Sequence, residues 1–359
     1  MKNLKLTIYA ILAIATFTSC TNDDDAPVVE VPLGAYQNGI LIVNEGNFGQ
    51  DNSSISFLSG DLETFQVNAF TAVNPTLTLG DITQSIGFND DKAYVVVNNS
   101  DKIEVLNRYT LQHIATVSTG LDNPRYVEFA NGKGYVTNWG DAGSPSDDYV
   151  AVLNLSTNTV ATTIPVVEGP ERIVQNNGKL YVAHKGGYGF GNVVTVINST
   201  SDTNESTISV GDVPGSLEIS NGFLYVLSEG NPGWTPGTET IAKLHKINLS
   251  NTAEITTLEF TSGNHPQNLD VDGGNIYYSN TNNVYKISEA NFTLPTAAMF
   301  NTSAQNVSGF YGFAVKGSKV FIADANDYSS AGEIFVYSNT GLVLNTRTVG
   351  ICPNGFYFN

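Results

Sequence analysis

The chain has 359 residues and a formal net charge of −18, with 41% hydrophobic but only 14% charged residues. There is apolar material for a large core, and the acidity excludes a nucleic-acid or anionic-membrane face. Asn, Thr and Ser stand where Lys and Glu usually cover a surface, which suits a β-rich extracytoplasmic protein better than a cytosolic enzyme, and the two cysteines, Cys20 and Cys352, exclude a disulfide framework.

The first segment is a targeting element. Lys2 and Lys5 are followed by an apolar run over residues 8–15, too short to span a bilayer, and then by Thr18-Ser19-Cys20. This resembles the bacterial lipoprotein signal, in which the cysteine becomes the lipidated first residue; Phe17 stands where that motif usually has Leu. The acidic run Asp23-Asp24-Asp25 resembles the surface-export signal of Bacteroidetes lipoproteins, and reads equally as a solvated spacer. Residues 1–19 are therefore expected to be a signal peptide. Residues 20–38, with Pro27, Pro32 and Gly34, are expected to be the lipid-bearing cysteine and a flexible tether.

Beyond the tether one tetrad recurs. Asn131-Gly132 precedes Tyr135-Val136, Asn177-Gly178 precedes Tyr181-Val182, and Asn221-Gly222 precedes Tyr225-Val226. Looser copies are Asp90-Asp91 before Tyr94-Val95, Gly273-Gly274 before Tyr277-Tyr278, and Gly317 before Phe321-Ile322. The copies lie about 40 to 50 residues apart, the period of propeller blades. Asn-Gly favours a two-residue hairpin because both positions need φ > 0. Ahead of each hairpin is an inner strand, which in four units opens on a proline: Pro124, Pro170, Pro214 and Pro266. Alternating third strands follow at residues 102–106, 149–153, 192–197, 242–247, 283–287 and 333–337, with fourth strands such as 113–117 and 256–260.

The ends complete the count. Residues 353–358 read as an inner strand with nothing after it, and residues 40–44 as a second strand with nothing before it; residues 55–58 and 65–70 supply strands three and four. The expectation is an all-β, seven-bladed β-propeller of four-stranded antiparallel blades over residues 39–359, closed by a composite N-/C-terminal blade that removes open sheet edges.

Tyr135-Val136-Thr137-Asn138 spells the signature of the YVTN-type propellers, which the chain resembles through periodicity more than identity. With its lipoprotein start it is similar to surface propeller lipoproteins of Bacteroidetes, some of which capture cobalamin. The resemblance implies an outer-membrane, surface-exposed lipoprotein that captures a polar nutrient such as cobalamin or another corrinoid. It also implies a TonB-dependent outer-membrane transporter as partner.

Loops between second and third strands, and between blades, share one face. Five of the former are long, and they carry Phe48, Trp139, Tyr188, Phe190, Trp234 and Tyr328, including both tryptophans of the chain. Loop aromatics among Gly and Asn have the composition of a recognition surface, although each alone reads as readily as packing against its own blade. Between-blade loops add Asp122, Asn123, Arg125, Glu171, Arg172, His265, Gln267 and Asn354. The second strands end on Asn44, Asn138, His184, Ser228, Asn280 and Asp324, expected to ring the channel mouth mainly with amides. Ligand contacts are thus expected from Phe48, Arg125, Trp139, Arg172, His184, Tyr188, Phe190, Trp234, His265, Asp324 and Tyr328.

Hydrolase, zinc-protease and redox motifs are absent from the sequence. Gly187 to Gly191 joins two strands and is a loop rather than a nucleotide cradle. The reading is a monomeric binder that transforms nothing and has no resident cofactor. Two alternatives stand beside it: a lyase- or lactonase-type enzyme built on His184, His265 and Asp324, and a protein- or glycan-binding adhesion propeller. Asp141, Asp147 and Asp148 share one loop and would suit calcium, or a solvated acidic loop. Cys352 reads as a small buried thiol.

Overall fold

In a computed structural model of the chain, the structure describes residues 32–141, 143–187, 189–234 and 237–359. The expected signal segment, the expected lipidation site Cys20, most of the expected tether and Tyr188 lie outside these residues. Leu33–Asn359 form one unit. Its strands make seven four-stranded antiparallel sheets, each ordered from inner to outer strand.

Blade 1 is the composite, ordered Pro353–Phe358, Gly39–Asn44, Ser54–Ser59 and Phe65–Gln66. Blades 2 to 7 begin with the inner strands Thr83–Asn89, Pro124–Ala130, Pro170–Asn176, Pro214–Ser220, Gln267–Asp272 and Phe310–Lys316. Their second strands are Lys92–Val97, Lys133–Asn138, Lys179–His184, Phe223–Ser228, Asn275–Asn280 and Lys319–Asp324. The hairpin tips have the expected turn chemistry: both central residues are at positive φ in Asn131-Gly132, Asn177-Gly178, Asn221-Gly222, Gly273-Gly274 and Gly317-Ser318.

The tetrad has a physical reason. Each blade is buried on both faces, so alternate side chains of the second strand serve opposite neighbours. Tyr135 packs in the layer between blades 3 and 4, and Val136 in the layer between blades 2 and 3. Tyr181 and Val182, then Tyr225 and Val226, repeat the division one and two blades on. The core is thus seven apolar layers, one at each blade junction, rather than a single centre. Tyrosine adds a polar tie: the single O–H of Tyr135 is shared between the Asp202 carboxylate at 2.7 Å and the Ser199 carbonyl at 2.9 Å, both on the next blade.

The ring closes as the sequence implies. Ile40, Leu41 and Ile42 pair with Phe358, Tyr357 and Phe356. Phe356 and Phe358 lie 5.7 and 5.2 Å from Phe321 of blade 7. Asn359 donates to the Tyr36 carbonyl at 2.8 Å and accepts from Arg108 at 2.7 Å. The fourth strand of this blade is a correction. Residues 65–70 were expected to be extended throughout, yet only Phe65–Gln66 pair, and Ala69–Val73 form a short helix after Asn68 in the left-handed region. The turn lets Phe70 enter the layer that holds Tyr36, Phe57 and Leu79, where an outer strand would leave it in solvent.

Deleting residues 353–359 removes the inner strand of blade 1, the buried ring of Phe356 and the half-buried rings of Tyr357 and Phe358. We expect the melting temperature to fall by on the order of 10 °C or more in calorimetry; an unchanged curve would contradict closure by this strand.

Candidate functional site

The pairing of inner and second strands slips at one place in every blade. Two or more residues of the inner strand oppose fewer on its partner, always at the end that meets the between-blade loop. The displaced residues are Asn354, Gln84, Arg125 with Tyr126, Glu171 with Arg172, Gly215, Asn268 and Tyr311. A bulge re-aims a side chain, and all nine of these residues line one cavity of 170 Å³ at the mouth of the central channel. Neighbouring blades pin the bulges. Ser85 donates to the Arg125 carbonyl at 2.7 Å, Thr137 to the Glu171 carbonyl at 2.9 Å, and Asn354 to the Gln84 carbonyl at 3.0 Å.

Just ahead of the inner strand, Ile82, Asn123, Gly169, Val213 and Cys352 all have positive φ. For β-branched Ile82 and Val213 this is a strained conformation, worth roughly 1–3 kcal/mol each. Backbone bonds hold it: the amides of Asn98 and Glu229 donate to the Ile82 and Val213 carbonyls at 2.7 and 2.8 Å.

The mouth is zwitterionic. Glu45, Glu171 and Glu229 face it, and so do Arg125, Arg172 and Lys185. Arg125 grips Glu171 with Nε and Nη2, each at 2.9 Å, and its guanidinium lies 4.2 Å over the Trp139 ring. Burial alone would raise the Glu171 carboxyl, but Arg125 outweighs it and leaves the pKa lowered. Glu45 is raised by burial, against donors from Asn354 at 2.8 Å and Tyr311 at 3.1 Å. Lys185 meets Glu229 at 3.3 Å. A Cβ at Gly215 would push the Glu229 carboxylate out of its present position.

Beside the mouth, sharing Lys185, Glu229 and Gln267 with it, opens a bay of 410 Å³ walled by Phe190, Pro232, Trp234 and His265. Trp234 is 85% exposed and Phe190 47%, the aromatic exposure expected of a recognition surface. The His265 Nδ1 donates to the Glu229 carbonyl at 2.8 Å, and its Nε2 is 3.5 Å from Glu239. Across the mouth stands a smaller pair. Tyr328 meets Tyr311 edge-on at 5.6 Å, and Asn47, beside the exposed Phe48, reaches the Tyr328 carbonyl at 3.4 Å.

Other expected contacts do not reach the mouth. His184 is fully buried; its Nδ1 donates to the Glu168 carbonyl at 3.2 Å and its Nε2 accepts from Thr195 at 2.9 Å. Asp324 accepts the backbone amides of Gly309 at 2.7 Å and Asn326 at 2.9 Å, building the loop it stands in. His265 lines the bay and Asp324 a separate cavity beside Asn326, while His184 lines neither. Trp139 is half-buried: its Nε1 donates to the Pro170 carbonyl at 3.1 Å, and Arg125 covers its face. The expected ring of strand-end amides is also corrected, since Asn44, Asn138, His184 and Ser228 are fully buried. One residue further along each strand are Glu45, Trp139, Lys185 and Glu229, and three of these face the mouth. A one-residue step reverses the side a strand presents, so repeat alignment at the following position would have found Glu45, Lys185 and Glu229. Asp141 and Asp148 accept backbone amides of Gly143 at 3.0 Å and Gly169 at 2.8 Å. Among the described residues, no group of three or more His, Cys, Asp or Glu is placed to hold a metal ion.

Burial pushes His184 down to about 4 from its ordinary 6.5 and pushes Asp148 up to about 6. The signs are opposite. The neutral His184 favours the native state above the unfolded pKa, and this is lost as pH falls towards the folded value; protonating Asp148 favours the native state over the same descent. Between pH 6.5 and 4, His184→Gln is expected to gain on the order of 3 kcal/mol of unfolding free energy relative to the parent. Denaturant titrations across that range check this, and parallel curves would contradict it.

Among solved structures, a functionally unknown protein from Desulfotomaculum acetoxidans DSM 771 is similar at TM-score 0.64 and 16% identity, covering 90% of this chain and 99% of that one. A quinonprotein alcohol dehydrogenase-like protein from Bacteroides thetaiotaomicron VPI-5482 gives 0.60 and 14%, covering 90% and 78%. BamB from Moraxella catarrhalis gives 0.53 and 13%, covering 90% and 86%. At such identities the likeness carries the fold alone. No curated protein matches at a significant level. A family model described as a domain of unknown function, DUF5074, matches residues 38–339, and the chain belongs to that family.

Proposed function

We propose that the protein is a lipid-tethered, surface-displayed binding propeller of the outer membrane. In this reading it captures a small polar nutrient on the mouth face and passes it to a TonB-dependent transporter. The observation that carries the binding part is the continuity of the zwitterionic mouth with the aromatic bay through Lys185, Glu229 and Gln267. A ligand with a flat apolar portion and hydrogen-bonding groups of both kinds matches that surface: the rings of Trp234 and Phe190 supply area, and the charged groups orient it. The bulges and strained backbone hold these groups in place before binding, so little ordering entropy is lost. Capture is favoured over a lyase-type reaction because His184 and Asp324 are engaged in internal hydrogen bonds.

The tether at Cys20, the surface location and the transporter rest on the sequence resemblance, and so does the choice of corrinoids as first ligands. The upper cavity is too small to enclose a corrinoid, which would lie across the bay and the mouth. Calorimetric titration of residues 26–359 with cobalamin and cobinamide is the test. One-to-one binding, weakened about tenfold (about 1.4 kcal/mol) in Trp234→Ala, is expected. No binding of either ligand would remove the corrinoid, and binding indifferent to Trp234 would remove the bay.

A further inference from the structure

Arg172 stands where the mouth cavity meets a second cavity of 250 Å³ deeper in the channel, and it lines both. It leaves the strand in the same two-residue bulge as Glu171, opposite Ala183. Its guanidinium lies 4.3 Å over the Tyr126 ring. Glu171 directs its hydrogen bonds to Arg125 and acts on Arg172 only through its charge. The other cations of the mouth are paired, Arg125 with Glu171 and Lys185 with Glu229. Arg172 forms no hydrogen bond or ion pair with any described residue. Its five N–H donors are left to whatever fills the channel.

The carboxyls below it, Glu218 and Asp270, feel the Arg172 charge but form no hydrogen bond or ion pair with it. Asp270 accepts the backbone amides of Val271 and Val315, both at 2.6 Å. Glu218 is raised well above the ordinary carboxylate range, first by burial and then by Asp270 beside it, with the Arg172 charge opposing the shift. A guanidinium stacked on an aromatic face is a rigid fork, and its shape matches the paired oxygens of a carboxylate or phosphate.

We propose that Arg172 is an oxyanion subsite, which receives a carboxylate or phosphate group of a ligand entering the channel from the mouth. The proposal rests on the capture reading and deepens it, because it assigns a charge to one end of the ligand. It also gives the lower cavity a use, as the space into which that end projects.

The test uses the full chain in detergent at pH 7 and constant ionic strength, with succinate and inorganic phosphate as separate probes. Saturable calorimetric binding of at least one probe is expected, weakened tenfold or more in Arg172→Gln and unchanged in Arg347→Gln, on the outer strand of blade 7. The probe that binds identifies the oxyanion. If Arg172→Gln does not fold, the ¹⁵Nε resonance of Arg172, assigned by its loss in Arg172→Lys, is followed instead and is expected to shift on titration. No saturable binding, equal binding in Arg172→Gln, or an unmoved resonance would overturn the subsite. Binding of an oxyanion without any corrinoid leaves the subsite standing and removes that ligand. Corrinoid binding indifferent to Arg172→Gln does the reverse.

Discussion

The mouth depends on one constraint, the slip between inner and second strand that every blade repeats at the same end. Without the extra residue, strict alternation would point Arg125, Glu171 and Tyr311 into a blade junction or away from the channel. With it, six blades deliver side chains to one ring, and the remaining one places Gly215 there. The slip is not free-standing: hydroxyls of Ser85 and Thr137 hold the displaced carbonyls of the next blade, and left-handed residues such as Ile82 and Val213 set the entry angle. Each blade therefore shapes the site of its neighbour, and closure by the C-terminal strand completes the circuit through Asn354 and Gln84.

Electrostatics divide the ring. On one side Arg125, Glu171 and Trp139 form a stacked, bidentate unit whose members satisfy one another. Such a unit is rigid, and breaking it by removing one partner strands a buried charge. On the other side Lys185 and Glu229 meet at a longer distance, 3.3 Å, next to the exposed Trp234. Groups that are loosely paired and next to exposed apolar area are those a ligand can engage. Glycines keep this side open: Gly215 makes room for Glu229, and Gly169, at φ +67, lies against Gly186, whose backbone a Cβ would meet.

The sequence revealed whatever is local. Hairpin tips were legible because Asn-Gly chemistry demands positive φ, blade count because alternating strands recur with the tetrad, and ring closure because the two end segments complement each other. Features that depend on the neighbouring blade were hidden. No residue type announces the bulge, so Asn44, Asn138 and Ser228 were placed at the mouth although they are buried, and Glu45, Lys185 and Glu229 one step on were not singled out. Trp139 looked like an exposed loop aromatic because nothing local indicates that Arg125 covers it and Pro170 binds its Nε1. Phe70 was assigned to a strand because apolar alternation does not distinguish an outer strand from a short helix that turns inward. Trp234 and Phe190 are singled out by composition alone, as large aromatics among glycines in loops too long for a simple turn, and the structure leaves both exposed in the bay.

The central claim is that the face carrying the second-to-third-strand loops is the binding face, organised by the bulges. Hydrogen exchange with and without saturating cobinamide reads this by segment. Protection is expected in residues 185–187, 229–234 and 264–268, with the hairpin tips at Asn131-Gly132, Asn177-Gly178 and Asn221-Gly222 on the opposite face unchanged. Protection at those tips, or an unaltered exchange pattern throughout, would contradict it.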